Sequence, residues 1–168
     1  VLRTARHESG HAVISLLAGN CPSYLTIVSR GNFGGYMQKD DVEKFGYTRK
    51  ELLDEIRICL GGRAAELVCY GDEEGVTTGP SSDLRQATNI AKRLVGTYGM
   101  DESFGLAVMD EADFKDKEIR EKINDILKAE LKKAVEIISE NRILLDRMVT
   151  ELLAKNHLSA DEIKLLAK

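Results

Sequence analysis

The 168-residue sequence has no tryptophan, only two prolines and only three cysteines. Cys21, Cys59 and Cys69 are odd in number and lack C-x-x-C spacing, so they predict neither a disulfide framework nor a cysteine-rich metal site. We expect three reduced thiols, as in cytosolic proteins, some of them packed in the core.

Long apolar runs and an excess of positive charge are also absent. The longest mostly apolar stretch, residues 12–18, is far shorter than the roughly 20 residues needed to cross a bilayer, and we expect no secretory signal. The formal net charge is −4 at pH 7, without a lysine-arginine run, so we expect neither nucleic-acid binding nor membrane contact by this segment. Its length and its content of 43% hydrophobic and 31% charged residues predict a single globular domain over residues 1–168.

Two of the three histidines occur in the sequence His7-Glu8-Ser9-Gly10-His11. Residues four apart on a helix share a face and lie about 6 Å apart along its axis, so both imidazoles can reach one cation. The carboxylate of Glu8 is placed to touch a metal-bound water instead of the metal. This H-E-x-x-H pattern is typical of zinc hydrolases and predicts His7 and His11 as ligands and Glu8 as general base.

A catalytic zinc site needs a third protein ligand. His157 is predicted to lie in an exposed turn between two helices and is not favoured. Among the 28 acidic residues, Asp83 stands out because it lies in the first turn of a predicted helix, beside the start of its apolar stripe. The alternative for Asp83 is a charge that only stabilises the helix N-terminus through the helix dipole.

Apolar periodicity predicts a mainly helical chain. We expect helices over residues 2–18, 48–69 and 80–98, the second continuing through Gly61-Gly62 with a tight contact there and the third capped by Thr78 or Gly79. The chain after residue 109 is also predicted helical, with a break near Asn141. Capping boxes are predicted at residues 48–51 and 159–162. Residues 70–75 are predicted as a polar loop, residues 24–29 and 33–38 as two strands, and residues 106–109 as a further strand.

The second predicted strand contains two adjacent glycines. Gly34 and Gly35 leave the backbone unshielded, so another extended chain could approach it closely. We therefore expect Phe33, Gly34, Gly35 and Tyr36 to bind a substrate peptide by strand addition. The alternative is an ordinary covered hairpin whose glycines mark a bulge.

Several motifs together resemble those of a known family: His7–His11, Gly34-Gly35-Tyr36, L-G-G-R-A-A-E over residues 60–66, and T-T-G and S-D-L within residues 77–84. In this order they resemble the peptidase domain of the FtsH family. Members of that family are membrane-anchored, ATP-dependent zinc metalloproteases. The resemblance covers the whole chain and implies that Asp83 is the third ligand of one zinc ion per chain. The family usually has asparagine where Ser82 stands and alanine where Pro80 stands, and Pro80 could change the direction of Asp83.

The resemblance also implies an architecture: a mainly α H-E-x-x-H zinc-peptidase part with a small β-sheet or hairpin (residues 1–110), followed by a C-terminal helical bundle (residues 111–168). It implies an endopeptidase for unfolded or membrane-extracted polypeptides, a hexameric homo-oligomer, and an ATPase module in cis or in trans. The expected location is the cytoplasmic side of a membrane, with any anchor outside these residues. Since only six residues precede His7, we expect a fragment of a longer polypeptide or a domain that has lost a neighbour. The rival hypothesis is a catalytically lapsed metal-binding or scaffolding module of the same fold.

Two roles remain open for Glu66. It could accept a hydrogen bond from a ligand imidazole, which would orient the ring. It could instead pair with Arg63 on a helix face.

Overall fold

The computed structural model describes residues 1–28, 35–39 and 46–168. In these ranges the chain is mainly helical with a small sheet, which confirms the predicted fold class. The elements are α1 Leu2–Leu17, β1 Tyr24–Thr26, β2 Tyr36–Gln38, α2 Arg49–Glu74, α3 Ser81–Gly96, a 3-10 helix Glu111–Lys115, α4 Lys117–Glu140, α5 Arg142–Lys155, β3 His157–Ser159 and α6 Ala160–Leu166. No helix in the described ranges combines the length and the hydropathy of a membrane span.

The helix boundaries follow local capping chemistry. At the start of α2 the Thr48 hydroxyl accepts a hydrogen bond from the Glu51 backbone N–H at 3.0 Å, while the Glu51 carboxylate accepts one from the Thr48 N–H at 3.2 Å. The same reciprocal pair occurs between Ser159 and Glu162 at the start of α6. Both predicted capping boxes are therefore confirmed, as is the break between α4 and α5 at Asn141.

Helices α1 and α2 cross in direct backbone contact at glycines. A Cβ added to Gly61 would lie 2.8 Å from the Gly10 carbonyl oxygen, and one added to Gly10 would overlap the Gly61 carbonyl oxygen. Because α2 continues through this crossing, the predicted single helix with a tight contact at Gly61-Gly62 is confirmed. The close approach brings the motif on α1 up to the side chains of α2.

Helix α2 contributes to two hydrophobic clusters and lies between them. One cluster joins α2 to α1, α4, α5, α6 and the sheet, and includes Val13, Ile14, Ala65, Ile138, Met148, Leu152, Leu158 and Ile163. The other joins α2 to α3 and α4, and includes Ile56, Leu60, Ala87, Ala91, Ile119 and Ile123. Helix α1 thus packs on one face of α2 and α3 packs on another. This packing sets the distance between His7 and Asp83.

The sheet has the strand order β2-β1-β3, with both pairs antiparallel. Leu25 at its centre pairs with Met37 on one side and with Leu158 on the other. Strand β3 was not predicted, and the prediction of a turn at His157 was wrong, since this residue pairs with Thr26. Three residues are too few to show a strand period, and their partner is distant in the chain.

Three further local predictions were wrong. Residues 70–75 do not form a loop: α2 runs to Glu74, with only Gly71 leaving helical geometry at φ 81° and ψ −179°. The residue that precedes α3 as its N-cap is Pro80, without a side-chain cap, instead of Thr78 or Gly79. Residues 106–109 form no strand; Leu106 and Val108 are largely exposed, so burial does not favour an extended ladder here.

Candidate active site

Side chains from α1 and α3 meet at one point. His7 Nε2 and His11 Nε2 lie 3.1 Å apart, and Asp83 Oδ2 lies 2.9 Å from the first and 3.1 Å from the second. In the described parts of the chain, only these residues form a group of three or more His, Cys, Asp or Glu side chains whose ligand atoms all lie within 4.8 Å of one another. Pro80 at the start of α3 does not turn Asp83 away from the histidines.

In each imidazole the hydrogen bond at Nδ1 determines whether Nε2 carries a proton or a lone pair. His11 Nδ1 lies 2.7 Å from the Ile58 carbonyl oxygen, which only accepts, so Nδ1 carries the proton. His7 Nδ1 lies 3.0 Å from Glu66 Oε2 and donates to it in the same way. In the neutral tautomers both Nε2 atoms therefore direct lone pairs towards the oxygen of Asp83.

Three lone-pair donors this close repel one another unless a cation lies between them. The sides of their triangle, 2.9, 3.1 and 3.1 Å, are close to the roughly 3.3 Å that separates ligand atoms about 2.0–2.1 Å from a tetrahedral zinc ion. Two imidazole nitrogens and one carboxylate oxygen are a donor set of catalytic zinc sites, which leave the fourth position open. The residues present fit zinc.

Without a metal, a proton takes the place of the cation. Burial by itself lowers the pKa of His7, but hydrogen bonds to Asp83 and Glu66 outweigh it and raise this pKa to about 10. Burial acts to raise the pKa of Asp83, yet the hydrogen bonds from His11 and His7 hold it well below its usual value. The metal-free site is therefore an ion pair between a protonated imidazole and a carboxylate.

Glu8 lies on α1 between the two histidines and lines the same cleft. It is buried, and burial raises its pKa above the ordinary value, although the nearby His11 and His7 act in the opposite direction. A carboxyl group with a raised pKa accepts and releases protons more readily near neutral pH, as a general base must.

Glu66 joins the site from α2. Its Oε2 contacts His7 Nδ1 at 3.0 Å and its Oε1 accepts a hydrogen bond from Arg3 Nε at 2.6 Å. Burial acts to raise the pKa of Glu66, but these two hydrogen bonds lower it below the usual value. Of the two roles left open by the sequence, the contact with the His7 imidazole is the one present, and no ion pair to Arg63 occurs among the described residues.

Sequence reasoning missed two residues next to the site. Arg3 lies four residues before His7 and therefore on the same helix face, which was a readable signal. Gly62 lies against the His7 ring: a Cβ there would lie 2.5 Å from His7 Nε2. The helical register alone did not indicate which glycine faces the imidazole.

The cluster of His7, His11 and Asp83 opens into a cleft of about 610 Å³. Gly35 and Tyr36 of the predicted substrate strand line it, whereas Phe33 and Gly34 lie outside the described residues. A Cβ at Gly35 would lie 2.7 Å from the Thr26 carbonyl oxygen and 3.1 Å from Glu8 Cγ, so the chain passes directly beside the buried carboxyl group. β2 has β1 on one side only, which makes it an edge strand of the described sheet.

The sequence model of peptidase family M41 matches residues 2–166. The chain belongs to peptidase family M41. It is 38% identical over 181 residues to the ATP-dependent zinc metalloprotease FtsH of Mesomycoplasma conjunctivae, covering 96% of this chain and 24% of that protein. It is 33% identical over 183 residues to FtsH of Mycoplasmopsis synoviae, covering 98% and 27%. For FtsH of Bacillus subtilis the identity is 35% over 183 residues, covering 95% and 28%.

These matches confirm the resemblance to the peptidase domain of the FtsH family. This member of family M41 spans about a quarter of the length of the curated relatives it matches.

Proposed function

We propose that this chain is a zinc-dependent endopeptidase that hydrolyses peptide bonds of unfolded or membrane-extracted polypeptides. The observation that carries the proposal is the triangle of His7 Nε2, His11 Nε2 and Asp83 Oδ2 in a cleft beside Glu8. Membership of family M41 and the zinc metalloprotease names of the relatives support it.

His7, His11 and Asp83 hold one zinc ion per chain. When bound by such ligands, zinc polarises a carbonyl group and makes water a nucleophile near neutral pH. Glu66 keeps the His7 ring in the tautomer whose Nε2 is free to bind, and the Ile58 carbonyl does the same for His11.

Glu8 moves the protons of the reaction. Its carboxylate accepts a proton from the attacking water and then delivers it to the amine nitrogen of the leaving peptide. The low exposure of Glu8 favours this role because a buried carboxylate is poorly solvated and takes up a proton more readily.

The substrate binds as an extended strand beside β2, along Gly35 and Tyr36 and along Phe33 and Gly34 before them. Main-chain hydrogen bonds at a sheet edge require little of the substrate sequence, which suits unfolded chains. N-methylation of alternate backbone amides in a short peptide substrate should then raise KM for one set of positions and leave it nearly unchanged for the other. Equal KM values for both methylated peptides and the parent peptide would contradict strand addition.

The partners follow from the relatives, which are named ATP-dependent proteases. We include in the proposal an ATPase module, in the same polypeptide or in a partner, that delivers unfolded substrate to this part. The assembly is a homo-hexamer on the cytoplasmic side of a membrane, anchored by a segment outside these 168 residues.

A metal analysis combined with degradation of unfolded casein tests the proposal. We expect about one zinc per chain and casein cleavage that a chelator abolishes and added zinc restores. Asp83→Ala should lose both metal and cleavage. Zinc binding without any cleavage of casein or short peptides would instead favour the catalytically lapsed module, and a chain that binds no zinc would refute both.

A further inference from the structure

The Glu66 carboxylate has two partners, and only one of them is a metal ligand. Its side chain is 4% exposed, and its two oxygens are divided between His7 Nδ1 and Arg3 Nε. A carboxylate this deeply buried keeps its charge and its orientation only when it is fully hydrogen-bonded. The oxygen that faces His7 is therefore held in place partly from the other side.

Arg3 is itself fixed in three directions. Besides the bond from Nε to Glu66, its Nη2 donates to the Glu74 carbonyl oxygen, and its guanidinium lies over the Tyr70 ring at 4.3 Å from the centroid. Glu74 is the last residue of α2, where carbonyls have no partner within the helix. The turn after Gly71 thus provides an acceptor that holds the guanidinium plane.

We infer that Arg3 is a positioning residue of the metal site, which acts through Glu66 to hold the His7 imidazole. This inference rests on the proposed zinc function. In the described part of the chain Arg3 forms no hydrogen bond or ion pair with Asp83 or His11, so its effect passes through the Glu66 carboxylate. Loss of Arg3 leaves Glu66 with an unpaired oxygen in a buried position, and the carboxylate is then free to turn away from His7, which releases the ring.

Arg6 offers a matched control on the same helix. Its guanidinium also lies over Tyr70, at 5.2 Å from the ring centroid, and its Nη1 donates to the Tyr70 hydroxyl at 3.1 Å. The ion pairs of Glu66 are to Arg3 and His7, not to Arg6. Arg3→Gln and Arg6→Gln each remove one positive charge from the first two turns of α1, so the difference between them isolates the bond to Glu66.

The experiment measures zinc dissociation constants by competition with a chromophoric chelator, for the full chain and its variants. We expect Arg3→Gln to weaken zinc binding about 10-fold, at the lower end of the range for groups that orient ligands. Arg6→Gln should stay within about 2-fold of the parent, and Arg3→Lys, which can still donate to Glu66, should recover most of the loss. With cobalt in place of zinc, the visible absorption bands of Arg3→Gln should change shape, whereas those of Arg6→Gln should not.

Equal zinc affinity of Arg3→Gln and Arg6→Gln would overturn the role of Arg3 and leave the proposed function standing. A parent chain that binds no zinc would overturn both. If Arg3→Gln does not fold, a proton–nitrogen correlation NMR spectrum of the parent chain decides. The Nε–H signal of Arg3 should then move on zinc addition by more than that of Arg6, and an unmoved Arg3 signal would refute the inference.

Discussion

Gly62 on α2 lies directly against the imidazole of His7 on α1. A Cβ at this position would lie 2.5 Å from His7 Nε2, well inside van der Waals contact. The ring is held by hydrogen bonds on both nitrogens, to Glu66 and to Asp83, so it cannot move aside without breaking one of them. The absence of a side chain at residue 62 is thus a condition for the geometry of the proposed metal site.

Gly62→Ala should therefore weaken zinc binding by at least about 10-fold, the scale seen when ligand orientation is lost. Alanine is the better helix former by about 1 kcal/mol, so a loss cannot come from helix propensity. Gly46→Ala is the control, because a Cβ at Gly46 meets no atom within 4 Å. Metal titration of both variants measures the effect, and unchanged affinity in Gly62→Ala would show that the ring has room to shift.

Glu8→Gln should separate metal binding from catalysis. The amide has nearly the same shape but cannot accept a proton, so we expect zinc content to stay at the level of the parent chain. Peptide hydrolysis should fall by about 100-fold to 10,000-fold, the contribution of a general base. Metal analysis and a fluorogenic peptide assay measure the two quantities, and loss of zinc in this variant would mean that Glu8 acts as a ligand.

Zinc binding should become stronger as the pH rises. The pKa of His7 in the metal-free protein is raised to about 10 by Asp83 and Glu66, against the effect of burial, so zinc must displace a proton at any lower pH. The apparent affinity should increase about 10-fold per pH unit between pH 6 and 8, with about one proton released per ion. Calorimetry in two buffers of different ionisation enthalpy counts that proton, and a pH-independent affinity would contradict the protonated site.

The same pKa shift predicts how the metal-free protein responds to alkali. A histidine whose pKa is higher in the folded than in the unfolded chain stabilises the fold fully below its unfolded pKa of about 6.5. This contribution is lost as the pH rises through the folded pKa of about 10. Denaturant unfolding without metal should thus show falling stability across that window, and Asp83→Asn should flatten the decline.

Ser9 should be replaceable with a gain in stability. Its side chain is fully buried on α1, and its Oγ has no hydrogen-bond partner among the described residues. Ser9→Ala removes a buried polar group without breaking a bond and improves helix propensity, so we expect about 1–2 kcal/mol higher free energy of unfolding.

Ser15 on the same helix supplies the comparison for Ser9. It is equally buried, but its hydroxyl donates to the Asn20 carbonyl oxygen at 2.5 Å. Ser15→Ala should therefore destabilise by about 1 kcal/mol, since it removes that hydrogen bond. Urea unfolding curves of the two variants should shift in opposite directions; a shift of both in the same direction would mean that Ser9 has a partner.

The parts of the fold that were predictable are those that depend on local chemistry. The capping boxes at Thr48 and Ser159 lie within four residues of sequence, and both are present. The strand β3 was missed because Leu158 is extended only through its pairing with Leu25, far away in the chain. Helix α2 was ended too early because a polar composition after Cys69 does not show that Arg3 donates a hydrogen bond to the Glu74 carbonyl oxygen and so stabilises the last turn of the helix.

The sequence by itself determined that His7, Glu8 and His11 lie on one side of a helix, since helical spacing is a property of consecutive residues. Only the tertiary structure decided that Asp83 meets them, that Glu66 faces His7, and that Arg3 holds Glu66. These contacts depend on how closely α1 and α3 pack against α2, and that distance is determined by backbone contact at Gly10 and Gly61 and by two separate apolar clusters. Packing of this kind is a property of the whole chain, which no local pattern contains.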